Sequence, residues 1–325
     1  MAYEIRPARA LDAEFRKAAL AQIDRALADL RQEEGDPHEA VHEARKRFKK
    51  LRGLVRLLRP ADERLYGELN ARFRDGARGL SGVRDKAALI EAFDDLAQDF
   101  DDKLRVRSLA TVRNKLVAER DGAAKDEGEL AEAGRQAIQA LEQARSKVEA
   151  FQIGGGHHDP KKAGRLLAKG AGRTYGRADA ALRRAEKTRK ADDLHELRKR
   201  VKYHWMHLRL LAPAWPEAFQ APVAVAKAVA DDLGRDHDFA VMRAEVRSDP
   251  AAFGDEETLS LLLALIDRKQ SELRERGLSG ARRLLVETDE NFAARIEALY
   301  RLAASETASA SAMPAETPGA EHRVA

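Results

Sequence analysis

The sequence predicts an all-α fold, two tandem pseudo-symmetric four-helix bundles joined in one compact helical domain, and three observations carry that prediction. The first is a duplication: VHEARKRFKKLRGLVRLLRP, from Val41 to Pro60, returns as LHELRKRVKYHWMHLRLLAP, from Leu194 to Pro213, 153 residues later and without a gap. Ten of the twenty positions are identical, and the same offset sets Leu80, Asp85 and Ala87 on Leu233, Asp238 and Ala240. Two copies of about 150 residues each suit a chain of this length. The second is composition: 35% of residues are charged, against about 25% in an average domain, and only 5% are aromatic. Ala, Leu, Arg, Glu and Asp dominate, which is the usage of long amphipathic helices rather than sheets. The third is punctuation, because Gly and Pro fall between helical stretches where they end or start them.

Taken in order, residues 10–32 read as a first helix, ended by EEGDP. Pro37 starts a second that runs to Arg59 and is stopped by Pro60, and a third covers 61–80 and ends at the Ser81-Gly82 break. Helices over 85–120 and 126–150 complete the first copy, placed at 1–152. The stretch IGGGHHDP, 153–160, has three glycines before a helix-starting Pro160 and reads as the linker. The second copy, 161–302, repeats the scheme with helices near 161–190, 192–211, 216–234, 236–248 and 255–300. From Ala303 the low-complexity run AASETASASAMPAETPGAEHRVA reads as a disordered tail, 303–325.

Several classes are disfavoured. With no cysteine there is neither a disulfide framework nor a thiolate site. The start MAYEIRPARALDAEF lacks the apolar run of a signal peptide, and no stretch approaches the roughly 18 apolar residues of a membrane span, so a cytoplasmic protein is expected. Net charge is only +4, so distribution matters more than total. Between Val41 and Pro60 eight Lys or Arg stand against one Glu, a local +7. Acidic runs lie elsewhere, at EEGD and at Asp94, Asp95, Asp99, Asp101 and Asp102.

The duplicated helix keeps its cations more faithfully than its apolar residues. At about 100° per residue Arg45, Lys49, Arg52 and Arg56 fall within about 80° of one another, beside an apolar sector of Val41, Ala44, Phe48, Leu51, Val55 and Leu58. In the second copy the stripe is His195, Arg198, Lys202, Trp205 and Arg209, beside Leu194, Leu197, Val201, Leu208 and Leu211. Like charges three and four apart destabilise a helix by about 0.2–0.5 kcal/mol a pair. An ordinary wet face mixes signs to avoid that cost. A stripe that keeps its cations in both copies suits a polyanion with regular charge spacing, since Arg and Lys give its oxygens charge-assisted hydrogen bonds.

The pattern HExRKRxK followed by RxLLxP, present twice with an LSxxRD block after the first copy and LGxDHD after the second, resembles the CHAD family of conserved-histidine α-helical domains. The resemblance covers about residues 12–300. It implies two bundles related by a pseudo-two-fold, enclosing a central basic cleft that binds inorganic polyphosphate without catalysis, and some family members are found at polyphosphate granules. Others are fused to a triphosphate-tunnel domain, for which the residues outside the resemblance are too few, so a stand-alone member is expected. The binding residues it implies are His42, Arg45, Lys46, Lys49, Arg52 and Arg56, then His195, Arg198, Lys199, Lys202 and Arg209. Arg74 and Lys227 match across the 153 offset and would continue the basic lining. Trp205, His204 and His207 replace Arg52, Leu51 and Leu54, so the halves are not expected to contribute equally.

Two alternatives come from other classes. His204 and His207, three apart, with His237 and Asp238, would make a metal-dependent phosphohydrolase. The zinc-protease pattern fails, because the residue four after each repeated His is Lys46 or Lys199. No Ser-His-Asp or Cys-His arrangement is suggested and no phosphate loop is present, so neither cofactor nor metal is expected. Non-specific nucleic-acid binding is the other alternative, against which stands the lack of aromatic platforms on the stripes apart from Trp205. Oligomeric state is not legible.

Overall fold

The computed structural model describes residues 3–31, 37–80, 82–98, 109–123, 127–153 and 159–312, and among them it is all-α. Eleven helices follow one another: α1 Leu11–Arg31, α2 Pro37–Leu57, α3 Glu63–Gly79, α4 Gly82–Gln98, α5 Ala110–Ala123, α6 Glu127–Glu149, α7 Pro160–Thr188, α8 Ala191–Leu211, α9 Pro216–Ser248, α10 Glu256–Leu284 and α11 Asp289–Ala312. Helix starts are fixed by side chains that accept otherwise orphaned backbone N–H groups. Asp62 accepts from the Leu65 amide at 2.8 Å, Asp159 from Lys161 and Lys162 at 2.9 and 3.1 Å, and Asp255 from Thr258 at 2.8 Å.

The two halves have matching neighbours. α1 packs on α2 and α6, and α2 on α3; in the second half α7 packs on α8 and α11, and α8 on α9. One apolar core runs through both halves, from Phe15, Phe48 and Phe73 to Tyr175, Phe292 and Tyr300. A second core forms where α4 and α5 meet the C-terminal half of α9 and the N-terminal half of α10, around Phe93, Leu96, Phe239 and Ile266.

Four boundaries differ from the sequence reading. The expected helix over 85–120 is two helices, α4 and α5, on either side of residues 99–108, which are outside the description. The expected pair 216–234 and 236–248 is the single helix α9. Gly234 stands at the expected boundary, yet it starts no break. Instead it makes room for a neighbour, since a Cβ there would stand 3.1 Å from the Arg198 guanidinium. The expected helix 255–300 is divided at 285–288, where Tyr175 Oη accepts from the Glu287 amide at 3.0 Å and donates to the Glu287 carbonyl at 3.1 Å. Thr288 then accepts from the Asn291 amide at 3.2 Å and starts α11. That helix continues to Ala312, so residues 303–312 belong to it rather than to a tail. Most of the expected linker, 154–158, and the rest of the expected tail, 313–325, lie outside the described residues.

What positions the two copies of the charged helix is close backbone approach at glycine. α2 crosses α8 at Gly53, where a Cβ would stand 2.8 Å from Met206 Sδ. Position 206 is the counterpart of position 53 at the 153-residue offset, so the two copies meet on matching residues. His207 Nε2 donates to the Gly53 carbonyl at 3.0 Å across this crossing. α7 crosses α2 still more tightly, because a Cβ on Gly170 would overlap the Leu57 carbonyl. The N-terminal segment closes one side, with the Ile5 amide donating to the Leu210 carbonyl at 2.8 Å and Tyr3 Oη to the Lys50 carbonyl at 2.7 Å.

Candidate functional site

The helical period sorts each charged helix as the sequence implies. On α2, Val41, Ala44, Phe48, Leu51, Val55 and Leu58 are all buried, and on α8 so are Leu194, Leu197, Val201, Leu208 and Leu211. With those faces committed to the core, the cations are left on the adjoining sector at intermediate or full exposure.

The first stripe is organised around Asn70 on α3. Its Oδ1 accepts from Arg52 Nε at 3.3 Å and from an Arg56 terminal nitrogen at 3.4 Å. Both guanidinium groups also lie over the Tyr203 ring of α8, Arg56 at 4.3 Å from its centroid and Arg52 at 5.9 Å. A cation over an aromatic face gains about 0.5–2 kcal/mol while keeping its charge uncompensated. Burial, followed by neighbours that include Arg56 and Arg74, holds the Arg52 guanidinium below its ordinary pKa. Arg74 itself is bidentate to its neighbour Asp75, at 2.8 and 3.0 Å. His42 and Arg45 are half-buried and Lys49 is exposed on the same helix.

The second stripe lies against α9. Arg198 packs on Gly234, and its Nε is buried with no hydrogen-bond partner among the described residues. Lys202 is pushed below its ordinary value, chiefly by burial and then by Arg198. The His195 ring sits 4.0 Å from the His237 ring, centroid to centroid, and is pushed down to about 4 by burial first, then by His237, Arg198 and Lys199. Next to His237, Asp236 is only 1% exposed and joins α9 to α10 by accepting from Arg274 at 2.7 Å and Gln270 at 2.9 Å. Arg209 lies over the Trp205 ring at 5.1 Å. From across the crossing Arg209 also acts on Lys50 of α2, whose ammonium is lowered by burial and then by Arg47, Arg209 and Arg25.

Nine of the thirteen cations and histidines singled out in the sequence divide by their partners. Lys46 pairs with Glu43, Lys199 with Glu196 at 2.5 Å, Lys227 with Asp231 at 2.6 Å, and Arg74 with Asp75. Arg52, Arg56, Arg198, Lys202 and Arg209 make no carboxylate ion pair among the described residues. The repeated Glu43 and Glu196 are the compensating charges, and each also takes the following repeated arginine, Arg47 at 3.2 Å and Arg200 at 2.5 Å. Arg84 and Asp85, the first-copy counterparts of His237 and Asp238, have side chains outside the described residues.

The four residues of the metal alternative are not brought together. His204 is 1% exposed and sits edge-on to Tyr175 and Phe292, with centroids 5.2 and 5.1 Å away, while His207 is fully buried at the Gly53 carbonyl and His237 lies against His195. Burial pushes both core histidines down to about 3. Among the described residues no three His, Cys, Asp or Glu side chains form a group that could hold a metal ion, and no helix is long and apolar enough to cross a membrane.

Sequence reasoning missed Asn70 and Tyr203, which hold the two arginines of the first stripe. Neither is shared between the copies, where Val223 and Lys50 stand instead, so the duplication gave no signal for them. Comparison with known families gives one match, to the CHAD domain over residues 15–247. It takes in all thirteen residues and ends near the close of α9, short of the 300 expected from the sequence. No curated protein matches the chain.

Proposed function

The chain belongs to the CHAD domain family, and on that premise we propose that it binds inorganic polyphosphate, without catalysis, through the cationic faces of α2 and α8. CHAD domains are generally associated with polyphosphate binding. The observation that carries the reading here is the set Arg52, Arg56, Arg198, Lys202 and Arg209. Drawn from both copies, these cations are half-buried and make no carboxylate ion pair among the described residues; an amide oxygen and an aromatic ring hold Arg52 and Arg56, an indole holds Arg209, and Arg198 packs on Gly234. Polyphosphate carries a negative charge on each unit and needs no base recognition. Arg and Lys donate to its non-bridging oxygens, and binding releases condensed counterions. The two faces form one composite basic cleft between pseudo-symmetric bundles, a reading supported by the crossing on matching residues and by the reach of Arg56 and Arg209 toward the opposite helix. His42 and His195 donate hydrogen bonds or orient the start of each stripe.

If five cations are engaged, log affinity falls with log salt at a slope of about −3.5, taking about 0.7 per phosphate as for a single-stranded polyanion. Calorimetric titration of long-chain polyphosphate over a range of salt concentrations tests this, and binding that is absent at low salt, or indifferent to salt, refutes the function. A composite site also makes affinity rise with chain length until both faces are spanned. The triple variant Arg45→Glu, Lys49→Glu, Arg52→Glu then weakens long-chain binding at the intact second face as well. Halved stoichiometry with unchanged affinity would show two independent sites. DNA that displaces polyphosphate at equal phosphate concentration would point to a general phosphodiester binder.

A further inference from the structure

Beyond the two stripes, the tight crossing of α7 on α2 gathers a second group of arginines. Gly170 lets the α7 backbone reach Leu57, and Arg173 and Arg177 follow on α7 at the next two turns. Arg173 lies 3.6 Å from Glu63, which also takes Arg59 Nε at 2.7 Å. Arg59 and Arg56 both lie over the Tyr66 ring, at 4.7 and 5.7 Å. Arg200, on the facing turn of α8, donates to Glu196 at 2.6 Å. Arg177 is exposed and makes no ion pair among the described residues. Its guanidinium is lowered first by partial burial and then by the charges of Arg200, Arg56, Arg173 and Arg59.

The duplication shows that this cluster is not repeated residue for residue. At the 153-residue offset Arg56 and Arg200 have arginine counterparts, Arg209 and Arg47, but Arg59, Arg173 and Arg177 correspond to Ala212, Leu20 and Asp24. The equivalent end of the second stripe carries a different set, with Arg47, Arg209 and Arg25 acting on Lys50, and it includes a carboxylate, Asp24, paired with Arg145.

We propose that Arg173 and Arg177, with Arg56, Arg59 and Arg200, form a second anion subsite that takes the phosphates of a polyphosphate chain running on past Arg52 and Arg56. The inference rests on the polyphosphate reading of the stripes and adds to it an extension past the first of them. A chain long enough to cover the first stripe reaches the subsite without dissociating, so its contacts act at high effective concentration. Each arginine engaged there adds about 0.7 to the steepness of the salt dependence.

The test is the full chain carrying Arg173→Ala and Arg177→Ala, titrated with long-chain polyphosphate across salt concentrations beside the wild type. Arg135→Ala with Arg268→Ala, two exposed arginines elsewhere, serves as the charge control. Expected are a loss of affinity of tenfold or more at low salt and a salt slope shallower by about 1.4 in the first variant. The control should stay within about threefold of wild type. If the first variant matches the control in affinity and slope, the subsite is refuted while the stripes stand. A wild type that binds no polyphosphate at low salt removes both. Arg173→Lys with Arg177→Lys, which keeps the charge, should retain the wild-type slope, and its loss would assign the effect to packing.

Discussion

At the scale of single residues the buried histidines tie stability to pH. His204 and His207 are core side chains, held neutral by burial near a pKa of 3, whereas an unfolded chain protonates them near 6.5. Between those values the unfolded state binds protons that the folded state refuses. Stability is therefore complete above about pH 6.5 and falls as pH drops, by up to about 1.4 kcal/mol per pH unit for each histidine. His207→Gln keeps a donor for the Gly53 carbonyl but cannot titrate. Urea unfolding at pH 7.5, 6 and 5 should give it a pH slope shallower than wild type by up to that amount, and equal slopes would mean that His207 is protonated in the folded protein. Their burial was not legible in the sequence, which offered them as metal ligands, because three-residue spacing says only that two side chains share a face. Which partner that face meets depends on α7, α11 and the crossing with α2. The arginines of the stripes were legible for the converse reason, since their period and their repetition are local facts.

At the scale of elements, glycine decides how closely helices meet, and two positions predict different outcomes. Gly53→Ala would set its methyl 2.8 Å from Met206 Sδ, 3.0 Å from Tyr3 Oη and 3.2 Å from Met206 Cβ, so two side chains must shift, although no backbone stands in the way. Alanine gains about 0.5–1 kcal/mol over glycine inside a helix and offsets part of that, so the variant should lose about 1 kcal/mol. Gly170→Ala would set its methyl on the Leu57 carbonyl, which is backbone and cannot turn aside. The two helices must separate, at about 2–3 kcal/mol, and polyphosphate affinity should fall with them because Arg173 and Arg177 move away from Arg56. Chemical denaturation of both variants checks the ranking. The same ambiguity explains where element boundaries were misread. A glycine signals either a break or a close approach, and the sequence does not say which; Gly82 starts a helix, while Gly234 lies inside one because Arg198 needs its space. At 285–288 the break depends on Tyr175, 112 residues before Glu287 in sequence, and so left no local mark.

At the scale of the whole molecule, one core threads both halves, so the halves should not unfold separately. Both tryptophans, Trp205 and Trp215, belong to the second half, whereas helical circular dichroism reports on the helices of both halves. The two signals should give coincident thermal transitions, and a fluorescence transition several degrees from the dichroic one would show two independent units. The joining of two copies in one chain has a further consequence at the place where they cross. Two separate identical chains meeting about an axis would set residue 53 against itself, glycine on glycine with a gap or methionine on methionine with a collision. A single chain is free of that constraint. Here glycine on one side admits methionine from the other, and the position beside it is leucine in one copy and, in the other, a histidine that bonds to the glycine carbonyl. Every position near the crossing can then change on one side alone. With that constraint lifted, Arg52 stands in one copy where Trp205 stands in the other, and each end of the repeated surface carries its own set of cations.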